Sequence, residues 1–183
     1  PRDRAVRLRR GRDELLDQLP PLRKKYTTYA LYSEATTDDV LKKFPGKTPT
    51  VFRVNTLETA YLVNEGGRFQ RRALPIEAQF APVCALASGD LNDDGFPDLI
   101  LAGNQSRGRV RTGNIDACYG QVLLNDHRGG FVPLPQAQSG LWLRGDVRSL
   151  LLLGNRLVVG TNSQPVRVYE KKAAELRKPV PLP

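Results

Sequence analysis

The 183-residue chain contains no methionine, two cysteines, one histidine and one tryptophan. Each scarcity closes off a class of chemistry. Two cysteines, Cys84 and Cys118, do not make a disulfide scaffold and leave a zinc site short of ligands. The single histidine, His127, lies in the turn text "NDHRGG". No Ser-His-Asp arrangement can be built around a hairpin tip, so a solvated turn residue is expected there. No apolar run reaches the roughly 18 residues that would mark a membrane-spanning helix. A chain that begins Pro-Arg-Asp, with neither Met nor an export signal, reads as a piece of a longer chain or as a processed form.

Basic charge is present in excess, but at the ends. The net charge is +9. Residues 1–25 carry nine Lys/Arg against four acids, and residues 167–183 carry five against two. The long middle is therefore nearly neutral. Basic ends suit anionic surfaces or an acidic partner segment. No nucleic-acid motif accompanies them, so a nucleic-acid partner is not expected.

The first 49 residues read as a basic, mostly helical lead-in or an insertion between repeat units. "AVRLRR" is a candidate short strand, and Leu15, Leu16, Leu19 and Leu22 form an apolar stripe at helical spacing. Thr36 with Asp39 three residues on predicts a capped helix start, running to about Phe44 before the Pro45-Gly46 stop. From residue 50 short apolar runs alternate with Gly, Asn, Asp and Pro separators: "TVFRV", "TAYLVN", "APVCALA", "DLILAG", "YGQVLLN", "GFVPLP", "VRSLLLL", "RLVVG" and "VRVYE" among them. That texture predicts a mainly β protein of short antiparallel strands.

Two internal echoes narrow the architecture. "YLVNEGGRFQRRALPIEAQ" (61–79) parallels "VLLNDHRGGFVPLPQAQSG" (122–140), and "CALASGDLNDDGFPDLILAGNQ" (84–105) parallels "VRSLLLLGNRLVVGTNSQ" (147–164). Repetition of antiparallel units at fixed period predicts a β-propeller of four-stranded blades. About two and a half blades are present: a half blade at 50–75, a complete one at 80–135 and a final partial one at 141–170, followed by a basic Pro-rich tail at 171–183. Propellers use 4–8 blades, so this set cannot close a ring. Its open strand edges call for the remainder of the same propeller or for another chain.

The complete blade contains "DLNDDGFPDLILAGN", residues 90–104. With Asp90 at loop position 1, Asn92 is position 3, Asp94 position 5, Gly95 position 6, Phe96 position 7 (through its carbonyl) and Asp98 position 9. Hard oxygen donors at this spacing suit Ca²⁺, and Gly95 permits the sharp turn. Position 12 is Leu101 rather than Glu and the flanks are strands, so the loop is not an EF-hand. The later echo has a Gly154-Asn155 turn in place of the acids, and a second calcium site is not expected there.

This loop resembles the calcium repeat of the FG-GAP/VCBS family, whose propeller repeats also occur in integrin α subunits. With "RGRDELLDQLPPLRKKYTTYALYSEAT", Phe69 to Val83 and "NIDACYGQVLLNDHRGGFVPLPQAQSGLWLRGDVRSL", roughly residues 5–170 are similar to the C-terminal part of large bacterial VCBS-repeat proteins of the ASPIC/UnbV (cartilage acidic protein-like) group. The resemblance implies a seven-bladed propeller in an exported, envelope-associated or cell-surface protein. It carries over Asp90, Asn92, Asp94, the Phe96 carbonyl and Asp98 as calcium ligands.

Further expectations attach to single residues. Cys84 and Cys118, on the first and third strands of one meander, would lie about 9.6 Å apart. That exceeds the roughly 7 Å reach of a disulfide, so both are expected free and buried. Arg107, Arg109 and Arg111 alternate in the long loop 104–117 and are candidate partner-binding residues for carboxylate, sulfate or phosphate groups, as on an anionic surface polymer. Trp142 is expected as a core or inter-blade anchor. The expected function is a calcium-stabilised binding or assembly module, not an enzyme. The alternatives are part of a propeller lyase or hydrolase whose active site lies elsewhere, and a basic binder of anionic polymer or nucleic acid.

Overall fold

The computed structural model describes residues 11–46, 50, 52–108 and 113–171. The chain divides into two compact units, Pro1–Asn55 and Thr56–Pro183.

The first unit is helical. Helix α1 (Arg12–Gln18) turns Leu15 and Leu16 inward and ends before Pro20 and Pro21, which open a 3₁₀ turn over Pro20–Lys24. Proline suits that position because its missing N–H would have had no helical partner. Helix α2 (Tyr29–Ser33) is capped by the Thr28 hydroxyl, which accepts the Leu31 N–H at 3.2 Å. Helix α3 (Thr37–Leu41) begins with the expected Thr36/Asp39 capping box, each side chain satisfying the other residue's backbone N–H. It stops at Leu41 rather than near Phe44, the next residues forming turns. Leu15, Leu16, Leu22, Tyr26, Tyr32, Ala35 and Val40 make the unit's core. Leu19 is only partly buried against it. The "AVRLRR" strand lies outside the described residues.

Among its described residues the second unit contains three antiparallel sheets, none of which closes on itself. Strands β1 (Ala60–Glu65) and β2 (Arg68–Ala73) form a hairpin. Strands β3 (Val83–Gly89), β4 (Asp98–Gly103), β5 (Gln121–Asn125) and β6 (Phe131–Leu134) form a four-stranded meander in that order. Strands β7 (Val147–Leu153), β8 (Arg156–Thr161) and β9 (Arg167–Glu170) form the third sheet. A single turn of helix, α4 (Gln136–Ser139), follows β6. Mainly β architecture is therefore observed, but the strand expected at "TVFRV" is absent: 50 and 52–54 are irregular and 51 lies outside the described residues.

The meander is the central layer. Strand side chains alternate between faces, and β4 and β5 are apolar at both parities. Ile100, Ala102, Val122 and Leu124 join Leu157 and Val159 of the third sheet in one cluster, with Leu150, Leu152 and Tyr169 packed against it. Leu101 and Leu123, of the opposite parity, join Leu74 and Ala78, with Tyr61 against them. The four-stranded sheet thus lies between the β1–β2 hairpin and the third sheet.

The sequence echoes appear as equivalent ladders. Both β3–β4 and β7–β8 carry a register irregularity near their start, at Val83/Ala85 and Val147/Ser149. Beyond it the pairs match one for one: Ala87↔Ile100 with Leu151↔Val158, and Gly89↔Asp98 with Leu153↔Arg156. Gly103 follows from the same irregularity. A Cβ there would stand 1.6 Å from the Pro82 carbonyl oxygen, so only glycine lets the backbone approach this closely.

Both cysteines are free, but only Cys118 is buried; Cys84 is exposed. Cys84 sits on edge strand β3, on a side chain position that neither neighbouring sheet covers. Cys118 precedes β5, which starts at residue 121 rather than at 118.

Candidate acidic-loop site

The loop 90–97 joins β3 to β4, and its acids organise it through their own backbone. The Asp90 carboxylate accepts the N–H groups of Asp94 at 3.1 Å and Gly95 at 2.8 Å. Asp94 Oδ1 accepts the Phe96 N–H at 2.9 Å. These are Asx-type closures, which short acidic side chains make readily. Gly95 (φ 84°) and Asp93 (φ 60°) take left-handed conformations that turn the chain back. Asp93, of the other parity, points outward and pairs with Lys171 at 2.9 Å.

Asp98 is the structural root of the loop. It is wholly buried, and its two oxygens accept the Leu91 N–H at 2.9 Å and the Asn125 N–H at 2.8 Å. Burial raises its pKa, the two amide donors oppose that shift, and the charges of Asp94 and Asp90 add to it. Asp94 moves the other way, from 3.8 down to about 2, chiefly through a hydrogen bond with His127 and then through Asn92 and the Phe96 N–H.

His127 is therefore more than a solvated turn residue. Its Nε2 lies 2.7 Å from Asp94 Oδ2, and its ring stacks on Phe96 with centroids 4.0 Å apart. The β5–β6 turn brings it there: the Asn125 side chain accepts the His127 N–H at 2.9 Å, and His127 has φ 61°. Sequence spacing carries no sign of this contact, which spans 33 residues and exists only because β5 pairs beside β4.

Of the five expected ligand residues, Asp94 touches three: it meets Asn92 through its carboxylate, Asp90 through its N–H and Phe96 through Oδ1. Asn92 donates through Nδ2 to Asp94 Oδ2 at 2.9 Å, while Asn92 Oδ1 is buried and has no hydrogen-bond partner. An orphaned buried acceptor costs free energy unless a donor or a cation meets it. Among the described residues no three His, Cys, Asp or Glu side chains converge at metal-holding distance. The donor set nonetheless fits a hard cation in kind: carboxylates from Asp90, Asp94 and Asp98, the Asn92 amide oxygen and the Phe96 carbonyl.

Of the three arginines, Arg107 donates to the Ser163 hydroxyl at 2.9 Å; Arg109 and Arg111 lie outside the described residues. Trp142 is half exposed. It stacks on Tyr119 with centroids 4.5 Å apart, and the Arg144 guanidinium sits 5.7 Å from its ring. Of the basic ends, residues 1–10 and 172–183 lie outside the described residues.

A second polar centre escaped the sequence reading. Asn104 (φ 84°, buried) donates to the carbonyls of Cys118 at 2.6 Å and Gly145 at 3.2 Å, and its Oδ1 accepts the Cys118 N–H at 2.9 Å. Buried Asp146 accepts the N–H and hydroxyl of Ser106. Together they anchor both ends of the long loop to the third sheet. The one sequence trace is the Gly103-Asn104 pair after a strand, since Asn tolerates positive φ.

No family model matches the chain, and no curated protein and no solved structure matches it.

Proposed function

We propose that the chain is a calcium-stabilised module of a β-propeller, of the FG-GAP/VCBS kind that its acidic loop resembles, and that it serves binding or assembly rather than catalysis. The observation that carries the metal reading is the buried, unpartnered Asn92 Oδ1 inside a donor set spaced 90, 92, 94, 96 and 98. Asp90, Asn92, Asp94, the Phe96 carbonyl and Asp98 would hold the ion. Bound there, a divalent cation supplies charge neutralisation to three carboxylates and a tie across the β3–β4 connection. The chain's own residues do the preparation. The Asp94 and Gly95 amides hold Asp90, the Leu91 and Asn125 amides hold Asp98, and Asn92 keeps its oxygen clear of any donor.

The assembly reading is supported by the outer faces of the sheet stack. Leu62 and Phe69 stand exposed on the hairpin, and Leu151, Leu153 and Val168 on the third sheet. Apolar faces of this kind mark contact surfaces. The partner is the rest of a propeller or another chain, in an exported, bacterial cell-surface setting.

Thermal unfolding with and without calcium tests the metal. With Kd on the order of 10⁻⁴–10⁻³ M, 10 mM Ca²⁺ should stabilise the chain by about 1.4–2.7 kcal/mol. Asp90→Asn with Asp94→Asn should abolish the gain. No shift at 10 mM in the unsubstituted chain overturns the reading.

A further inference from the structure

The outer edge of β9 is unpaired among the described residues, whereas the equivalent edge of β5 is covered by β6. The equivalence is set by the ladders. Ser88↔Leu99↔Leu123 in the meander corresponds to Leu152↔Leu157↔Tyr169 in the third sheet, so Val122 matches Val168 and Asn125 matches Lys171. The Lys171 N–H donates to the Asn155 carbonyl at 2.7 Å, so the odd-numbered residues of β9 face β8. The N–H and C=O of Val168 and Glu170 therefore point to the open edge.

A cavity of about 460 Å³ adjoins this edge between the meander and the third sheet, with Ile100, Val122, Leu157, Tyr169, Glu170 and Lys171 among its walls. On the other side of the meander the corresponding space is filled. There Phe131 of β6 stands against Tyr61 with ring centroids 5.3 Å apart, and Tyr61 precedes Asn64 as Val122 precedes Asn125. The cavity lies beside the edge of β9, where the third sheet has no fourth strand among the described residues.

The chain carries a sequence for that strand. Residues 131–135, which comprise β6 and the proline after it, read Phe-Val-Pro-Leu-Pro; residues 179–183 read Pro-Val-Pro-Leu-Pro. We propose that residues 179–183, which lie outside the described residues, add antiparallel to the outer edge of β9. The pairing of β5 with β6 then transfers directly: Val122↔Leu134 becomes Val168 with Leu182, and Leu124↔Val132 becomes Glu170 with Val180.

The prolines agree with this register. The Gly130 carbonyl accepts the Asp126 N–H at 3.0 Å, so even-numbered residues of β6 face β5 and Phe131 and Pro133 face outward. Pro179 and Pro181 fall on those outward positions, where a strand needs no N–H. Val180 and Leu182 keep the two N–H groups that the edge requires. On the third sheet's outer face Leu182 comes beside Val168, as Leu134 does beside Val122. A capped edge no longer offers a template for strand pairing, so a partner would meet the outer sheet faces instead. None of this depends on calcium.

Amide hydrogen exchange on the full chain tests the proposal. Val168 and Glu170 should be protected. Deleting 179–183, or introducing Val180→Pro or Leu182→Pro, should speed their exchange by about tenfold or more while leaving the β8 amides unchanged. Pro181→Ala should leave the protection intact. The peptide Lys-Pro-Val-Pro-Leu-Pro, added to the shortened chain, should restore it. Equal exchange in full and shortened chains overturns the proposal, as does Pro181→Ala exposing the edge as much as Leu182→Pro. If the shortened chain does not fold, the two full-length substitutions carry the comparison by themselves.

Discussion

The β3–β4 and β7–β8 hairpins are two versions of one ladder. They share pairing register and an irregularity at the same point, yet one closes through residues 90–97 and the other through Gly154-Asn155. A two-residue turn suffices to make this hairpin. The acidic loop is therefore not needed to set the strands, and its buried carboxylate and orphaned amide oxygen are costs the second hairpin avoids. The environments differ as well: β4 and β5 of the first sheet are covered on both faces, edge strand β3 and the third sheet on one. Position by position, the comparison separates what the ladder requires from what burial and the loop add.

The largest difference should appear in the core. Leu123 is fully buried, while Leu151 of the third sheet's outer face is 53% exposed. Leu123→Ala should cost about 2–5 kcal/mol, and Leu151→Ala should stay within about 0.5 kcal/mol, both read from urea midpoints. A large loss at Leu151 would mean that its face is covered in the isolated chain.

Next come Asp98 and Arg156, which hold equivalent places in the two ladders. Asp98→Ala strands the Leu91 and Asn125 N–H groups and should cost about 1–3 kcal/mol. Arg156 makes only an exposed pair with Glu170 at 3.4 Å, so Arg156→Ala should change stability by less than about 0.5 kcal/mol. Equal losses would erase the distinction drawn between the loops.

The pH dependence separates the acids within the loop. Asp94 has its pKa depressed to about 2 from 3.8. Its stabilising contribution is present above about 4 and lost as pH falls through about 2. Asp98 is raised, so its effect has the opposite sign: it favours the fold at low pH and loses that advantage as pH rises through its folded value. An Asp94→Asn chain should show a shallower loss of stability between pH 4 and 2 than the unsubstituted chain, by about the contribution of that one carboxylate. An unchanged acid profile would remove Asp94 from the loop's electrostatics.

The smallest effect should come from His127→Asn, a substitution that tolerates the positive φ. Stability should barely move, but the Asp94 carboxyl titration followed by NMR should return toward 3.8. An Asp94 titration that stays near 2 would assign the depression to Asn92 and the Phe96 N–H instead.

Much of this fold can be read from local pattern. Apolar runs bounded by Gly, Asn and Pro place β4 at Asp98–Gly103, and the Thr36/Asp39 box marks a helix start. Even the repeat emerges, because equivalent ladders reuse equivalent spacings. Local pattern fails where only neighbours decide. "TVFRV" has strand composition but shows no pairing among its described residues, and a lone strand leaves its backbone hydrogen bonds unmade. Cys84 shares the apolar texture of its strand, yet β3 is an edge and its position has no layer above it.

By itself the sequence determined strand positions, the acid spacing of the loop and the repeat, since alternation, turn residues and side-chain length act within a few residues of chain. Tertiary structure alone decided which faces are buried, that His127 meets Asp94, that Asn104 and Asp146 pin the long loop, and which strand edges stand open among the described residues. Those outcomes depend on pairing between segments 30 to 80 residues apart, where burial and hydrogen-bond satisfaction, rather than local preference, select the partner.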